Sequence, residues 1–272
     1  MRHVVAGTIL ASLLLVLVRV VPSALAALRR TPELSEGAAG ALVQPAAQST
    51  AKPLRVLFVG NSHTFVNDMP LLVAQLAAAG HEARPFVPAL VTKGGATLEQ
   101  HLAQGTLREP LEHGPWDYVV LQEQQQRPTF APEEVERFFF TPARTLDVLV
   151  RAAGARTVLY MTAARRDGDG PGDTYEAMQA RSIRSHQQLA RELGALTVPA
   201  GPAWQSVRRE RPDLQLWQPD GMHPSLAGSY LIACVFYAVL YAHSPLDNRF
   251  TAGLPDDVAQ VLQRAAEVAR NM

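Results

Sequence analysis

Leu54-Arg55-Val56-Leu57-Phe58-Val59-Gly60-Asn61-Ser62-His63-Thr64 is the stretch that decides the fold. Its first six residues form a short apolar run closed by Gly60, which reads as a strand buried on both faces. Gly60 permits a tight turn off the strand end. Ser62, two residues on, can then project over the sheet edge at the start of a helix, with its own N–H aimed at the same volume. Asn61, Ser62 and Thr64 also suit a plainer role, capping and shaping a βα turn.

Outward from this strand, helical and extended patterns alternate. Met69, Leu72, Val73, Leu76 and Ala79 recur at helical spacing over 68–79, and Gly80 stops the run. The pattern predicts a weaker strand over 83–91, a helix over 98–111 and a clear buried strand over 116–121. A helix follows over 132–153, with Pro132 in its first turn and Pro142 placed to kink or split it. A third clear strand (157–161), a helix (174–193) closed by Gly194, a short strand (195–198), an apolar helix (224–242) and a terminal helix (256–271) complete the series. Strands separated by helices of this length mean βαβ units. The fold class is α/β, a parallel sheet with helices on both faces. Residues 54–272 suffice for one such domain, and no internal repeat is visible.

The 272 residues are 47% hydrophobic and 18% charged, with 25 basic and 25 acidic side chains. That apolar share suits a globular core and excludes a disordered chain. Zero net charge speaks against nucleic acid as a partner, since such binders carry a basic patch or stripe. The single cysteine, Cys234, excludes an internal disulfide framework and a cysteine-based zinc site.

At the N-terminus, Arg2 and His3 precede an apolar run over 4–18, and Ala24-Leu25-Ala26 has the small-residue pattern of a cleavage site. Residues 1–26 therefore read as a secretory signal peptide, and the protein as exported, periplasmic or extracellular, with no stable membrane insertion after cleavage. The rival reading is an uncleaved anchor from Val4 to Leu28 that tolerates Arg19. Residues 27–53 are rich in Ala, Gly, Ser, Thr, Pro and Gln and read as a disordered linker. The folded domain is expected to begin near Leu54.

In open parallel sheets, ligands bind at the carboxyl ends of strands, so the residues following each strand are the candidates. The first turn, G-N-S-H-T, lacks the last glycine of the G-x-S-x-G elbow, which disfavours an α/β-hydrolase fold. After the second strand, Lys93-Gly94-Gly95-Ala96-Thr97 lets the backbone approach a ligand and leaves an N–H free. After the third come Gln122-Glu123-Gln124-Gln125-Gln126, a solvated loop or a source of one amide donor. Before the apolar helix lies Asp220-Gly221-Met222-His223-Pro224. Asp and His three residues apart, in a turn fixed by glycine and proline, can face one way, with His223 as general base and Asp220 supporting it. Asp220 capping a turn and His223 on the surface is the plainer alternative. His81, His101, His113, His186 and His243 show no partner pattern and are expected on the surface, and no H-E-x-x-H spacing points to zinc. The charged, glycine-rich loop 165–173 reads as a lid, a substrate contact or an ordinary exposed loop. Trp204 and Trp217 read as packing or as sugar-stacking residues.

Taken in order, Gly60-Asn61-Ser62, Gly94-Gly95, the amide block and Asp220-Gly221-Met222-His223-Pro224 resemble the SGNH (GDSL-like) hydrolase superfamily across residues 54–242. Asn61 stands where aspartate is more usual. The third block usually reads G-x-N-D, and no asparagine follows Leu121 here. The chain therefore looks like a divergent bacterial branch with glutamine in that place: Gln122, first past the strand, or Gln124, which aligns with the asparagine if Gln122 takes the glycine's place. The resemblance implies a flavodoxin-like three-layer α/β/α fold with about five parallel strands and no metal or organic cofactor. It implies Ser62 as nucleophile, His223 as its base and Asp220 as orienter of the imidazole. It also implies an oxyanion hole from the N–H groups of Ser62 and of Gly95 or Gly94, plus Gln122. The expected activity is hydrolysis of a carboxylic ester, a small molecule or an O-acetylated glycan. The alternative is a non-catalytic glycan-binding domain on the same fold.

Overall fold

The structure, a computed structural model, describes residues 51–272. The segment read as a signal peptide (1–26) and nearly all of the linker (27–53) lie outside the described residues. Five parallel strands form one sheet: β1 (Leu54–Gly60), β2 (Phe86–Thr92), β3 (Tyr118–Leu121), β4 (Arg156–Tyr160) and β5 (Leu196–Val198), in the order β2-β1-β3-β4-β5. Strand order reverses direction at β1, and Gly60 ends β1 there.

Alternation along each strand builds two cores. Val56 and Phe58 of β1, Val120 of β3 and Val158 and Tyr160 of β4 point to one face. There they meet α2 (Met69–Ala79), α8 (Ala200–Glu210), α9 (Leu226–Tyr241) and α10 (Asp256–Ala269). Leu57, Val59, Val119, Leu121 and Leu159 point to the other face. They meet α3 (Leu98–Ala103), α5 (Pro132–Val135), the π-helical turn Glu136–Phe140 that follows it, and α6 (Thr141–Ala152). Helix α7 (Tyr175–Leu193) serves both cores, Tyr175 and Met178 in the first and Leu189 in the second. Helix α9 is apolar nearly all round because it is enclosed by α2, α8 and α10.

One expectation needs correction, and one helix went unseen in the sequence. The helix predicted over 98–111 is two short helices, α3 and α4 (Arg108–Glu112), parted at Gly105, whose φ of +61° a helix cannot hold. The 132–153 stretch is divided just before Pro142, as expected, into α5, the π turn and α6. The chain widens into the π turn just before it, which accommodates the proline's missing N–H at the start of α6. Helix α8 had no visible signal, because Gly201 and Pro202 occupy its first turn. Gly201 is required there: a Cβ would lie 2.8 Å from both the Gln179 amide carbon and the Thr162 carbonyl oxygen.

No helix among the described residues is long and apolar enough to cross a membrane. Where the described chain begins, Arg84 ties it down. Its Nε donates to Lys52 O at 3.0 Å and its Nη2 to Pro53 O at 2.8 Å and to Asp117.

Candidate active site

The site grows from the turn after β1. Asn61 is extended and caps α1 (Ser62–Phe65), a single helical turn; its Oδ1 accepts the His63 N–H at 3.1 Å. Its Nδ2 donates to Ala96 O at 2.9 Å, joining this turn to the glycine loop after β2. Gly60 has no room for a side chain. A Cβ there would lie 2.9 Å from both the Gln122 Cβ and the Thr64 Oγ1. Gly60→Ala is expected to destabilise the protein by about 3 kcal/mol or more, read as a fall in denaturant midpoint.

Ser62 Oγ lies 2.8 Å from His223 Nε2. His223 Nδ1 lies 2.6 Å from Asp220 Oδ2. A carboxylate can only accept, so Nδ1 carries the proton, and Nε2 is the acceptor for the serine hydroxyl. Asp220 Oδ1 also takes the N–H groups of Met222 (2.9 Å) and His223 (3.0 Å). Burial pushes the Asp220 carboxyl up, but these bonds, led by that from the His223 ring, outweigh it and hold the group at about 2. It is therefore an anion at neutral pH.

The turn carrying Asp220 and His223 is anchored from several sides. Gly221 has φ +67°, and the Arg166 guanidinium packs against it, 3.1 Å from where a Cβ would sit. Arg166 N–H donates to Gly221 O at 2.8 Å, and Gln218 N–H to His223 O at 2.8 Å. Ser225 caps α9 just beyond. Asn67, itself left-handed at φ 55°, donates from Nδ2 to Pro224 O (3.1 Å) and Ser229 Oγ (2.9 Å). It thereby ties the segment after Ser62 to the segment after His223. Asn67→Ala loses both bonds and puts alanine in an unfavourable backbone region, so a loss of about 2 kcal/mol is expected in chemical unfolding.

Ser62 N–H is the first of helix α1, and neither it nor the N–H groups of Gly94 and Gly95 has a partner among the described residues. Gly95 has φ +69° and is exposed, with open space around it. Gln122 is not arranged as expected. Its N–H still pairs with Val59 O at 2.9 Å, so it continues the sheet rather than clearing its end. Its side chain is fully buried beneath the elbow: Oε1 accepts from Asn61 N–H (2.8 Å) and Thr64 Oγ1 (3.0 Å), and Nε2 donates to Glu123 O (2.6 Å). Gln122 holds the turn that carries Ser62, with its amide turned beneath it. Gln124 is half-buried, and its Nε2 donates to Gln126 Oε1 at 3.0 Å, which leaves its second N–H over.

Loop 165–173 lies against this centre. Arg165 Nη2 reaches Gln126 Oε1 at 2.7 Å and Met222 Sδ at 4.0 Å, and Asp173 pairs with Arg181. Trp204 is buried and packs edge-on to half-buried Trp217, so Trp204 is core rather than a sugar platform. His81, His113 and His243 are exposed, but His101 and His186 are buried, against expectation. His101 follows Leu98 by three residues and His186 follows Ser182 by four, so each lies on its helix's inner face. His101 Nε2 donates to Gly60 O at 2.9 Å. Sequence reasoning also passed over His63 and Glu123, both buried beside the centre. Cavities of about 360, 260 and 480 Å³ open elsewhere, and none of the three is lined by Ser62, Asp220 or His223.

A five-stranded flavodoxin-like sheet carrying a serine, a histidine and an aspartate in one hydrogen-bonded line defines a class: serine hydrolases built on an open α/β sheet. No family model and no curated protein matches the chain. Solved structures do. An SGNH hydrolase assignment from Slackia heliotrinireducens is 30% identical, over 68% of this chain and 98% of that one, with a TM-score of 0.58. A DUF4886 family protein from Bacteroides uniformis is 17% identical, over 80% and 95%, at 0.64. A mutant of an acetyl-xylooligosaccharide esterase from Geobacillus is 16% identical, over 74% and 100%, at 0.53; like the Bacteroides protein, it shares the fold. The chain belongs to the SGNH hydrolases.

Proposed function

We propose that this protein is an active serine esterase of short acyl esters, with O-acetylated glycan as the substrate class. The observation that carries the reading is the unbroken line from Ser62 Oγ through both ring nitrogens of His223 to Asp220, with distances of 2.8 and 2.6 Å. Ser62 Oγ attacks the ester carbonyl as His223 Nε2 takes its proton. The tetrahedral oxyanion receives the N–H groups of Ser62 and Gly95, with Gly94 as neighbour. One such donor contributes ~3–4 kcal/mol in the transition state. Gln124, with its spare N–H, fills the third place. His223 then passes the proton to the leaving alcohol, and a water activated by the same nitrogen frees the acid.

Two features favour a short acyl group on a polar carrier. The loop after β2 offers the exposed Lys93, Gly94 and Gly95, and Arg165 reaches Met222 Sδ beside His223. A fold neighbour is an acetyl-xylooligosaccharide esterase. Export of the mature chain is part of this proposal and rests on the N-terminal sequence; N-terminal sequencing of the secreted form tests it. The catalytic reading is tested by p-nitrophenyl acetate hydrolysis, beside Ser62→Ala. Serine-dependent release supports it. A folded wild-type protein with no turnover but retained glycan binding would return the function to a binding domain.

A further inference from the structure

His63 follows the nucleophile directly, and sequence reasoning gave it no role. Its backbone belongs to the one-turn helix that carries Ser62, so it cannot move without the nucleophile. Its side chain is buried and crosses to the other catalytic turn. Nε2 lies 3.2 Å from the Met222 carbonyl oxygen, which can only accept, so Nε2 is the protonated nitrogen. The ring lies nearly flat against that of His223, with centroids 5.4 Å apart and planes 27° from parallel. One side chain thus touches the ring of the general base and the residue before it, while sharing a helical turn with the serine.

We propose that His63 is a positioning residue that holds the His223 imidazole in line with Ser62, chiefly through the stacked ring and secondarily through its hydrogen bond to Met222. The inference rests on the esterase reading above. The charged and titratable groups around His63 are His223 and Asp220 on the facing turn and Arg165 on the loop after β4. Burial, then the neighbouring His223, hold the His63 imidazole down at about 4. It is therefore neutral when His223 becomes imidazolium, and presents a π-face to that cation rather than a like charge. A positioning group acts on the geometry of attack and not on ground-state binding, so its removal should appear in kcat and leave KM alone.

Three variants separate the parts. His63→Phe keeps the flat wall and loses the donor. His63→Gln keeps a donor and loses the wall. His63→Ala loses both. With p-nitrophenyl acetate, kcat should fall by about 3-fold, 10-fold and 100-fold in that order, with KM within about 2-fold throughout. Proton NMR supplies a readout independent of turnover. The low-field resonance of the His223 Nδ1–H on Asp220 should persist in His63→Phe and broaden or vanish in His63→Ala. Far-UV circular dichroism checks folding; if the alanine variant does not fold, the Phe and Gln pair decides. Wild-type kcat and resonance in folded His63→Ala would overturn the proposal, as would His63→Gln outperforming His63→Phe. An inactive wild type would overturn the esterase reading instead, and the resonance would still report on His63.

Discussion

His223→Ala should lower kcat for p-nitrophenyl acetate by about 10⁴-fold or more, with KM shifted no more than a few-fold. Among the described residues, the imidazole is the base to which Ser62 Oγ is hydrogen-bonded, and it can both take a proton and return it. Asp220→Asn should approach the same loss by a different route. The asparagine amide can turn an N–H toward His223 Nδ1, which forces the proton onto Nε2. In that tautomer the ring cannot accept from Ser62. The N–H groups of Met222 and His223, which donate to Asp220 Oδ1, can donate to the amide oxygen instead, so the fold should hold. Steady-state kinetics beside circular dichroism checks both variants; substantial turnover in His223→Ala would remove His223 from its role, and in Asp220→Asn would remove Asp220 from its own.

The second large effect concerns stability. Glu123 is buried at the end of β3, where it accepts the N–H groups of Gln124 (2.5 Å) and, weakly, of Leu98 (3.3 Å). Burial dominates: against those bonds and the nearby Arg127 charge, it pushes the carboxyl from 4.5 up to about 8. Between these values the folded state holds a proton that the unfolded chain releases. Stability therefore falls as pH rises through this window, and the loss is complete above about pH 8. The loss is on the order of 5 kcal/mol. Glu123→Gln stays neutral and keeps an acceptor oxygen, so its Tm should stay nearly level from about pH 7 to 9 and exceed that of the wild type at pH 9. Parallel curves would show that Glu123 is ionised in the fold at neutral pH. The acid side has other owners. Burial holds His63 and His186 at about 4, so their stabilisation is full above 6.5 and lost as pH falls toward 4, equally in both proteins.

Much of the architecture was legible because burial on both sides leaves a simple trace. Val56 to Val59 and Tyr118 to Leu121 are uninterrupted apolar runs, and a parallel sheet demands such runs. The switch-point rule then directed attention to Ser62, the glycine pair and the Asp220–His223 turn, which the fold brings to one end of the sheet. What stayed hidden depended on direction rather than identity. Gln122 and Gln124 look interchangeable in sequence. Only the register with β1, which keeps Gln122 paired to Val59, turns its amide under the elbow. His63 sits inside the motif that located the site. Its contact with His223 spans 160 residues of chain, and no local spacing records that. His101 and His186 did leave a signal, an inward helical register shared with Leu98 and Ser182.

The most direct measurement is covalent trapping of the nucleophile. The protein, incubated with an alkyl fluorophosphonate, would be digested and mapped by mass spectrometry. An esterase working through Ser62 should gain one phosphonyl adduct on the Ser62 peptide, lose turnover in step with it, and gain none as Ser62→Ala or His223→Ala. Turnover that survives full exposure to the reagent, or an adduct on another serine that tracks the loss of activity, would contradict Ser62 as the nucleophile.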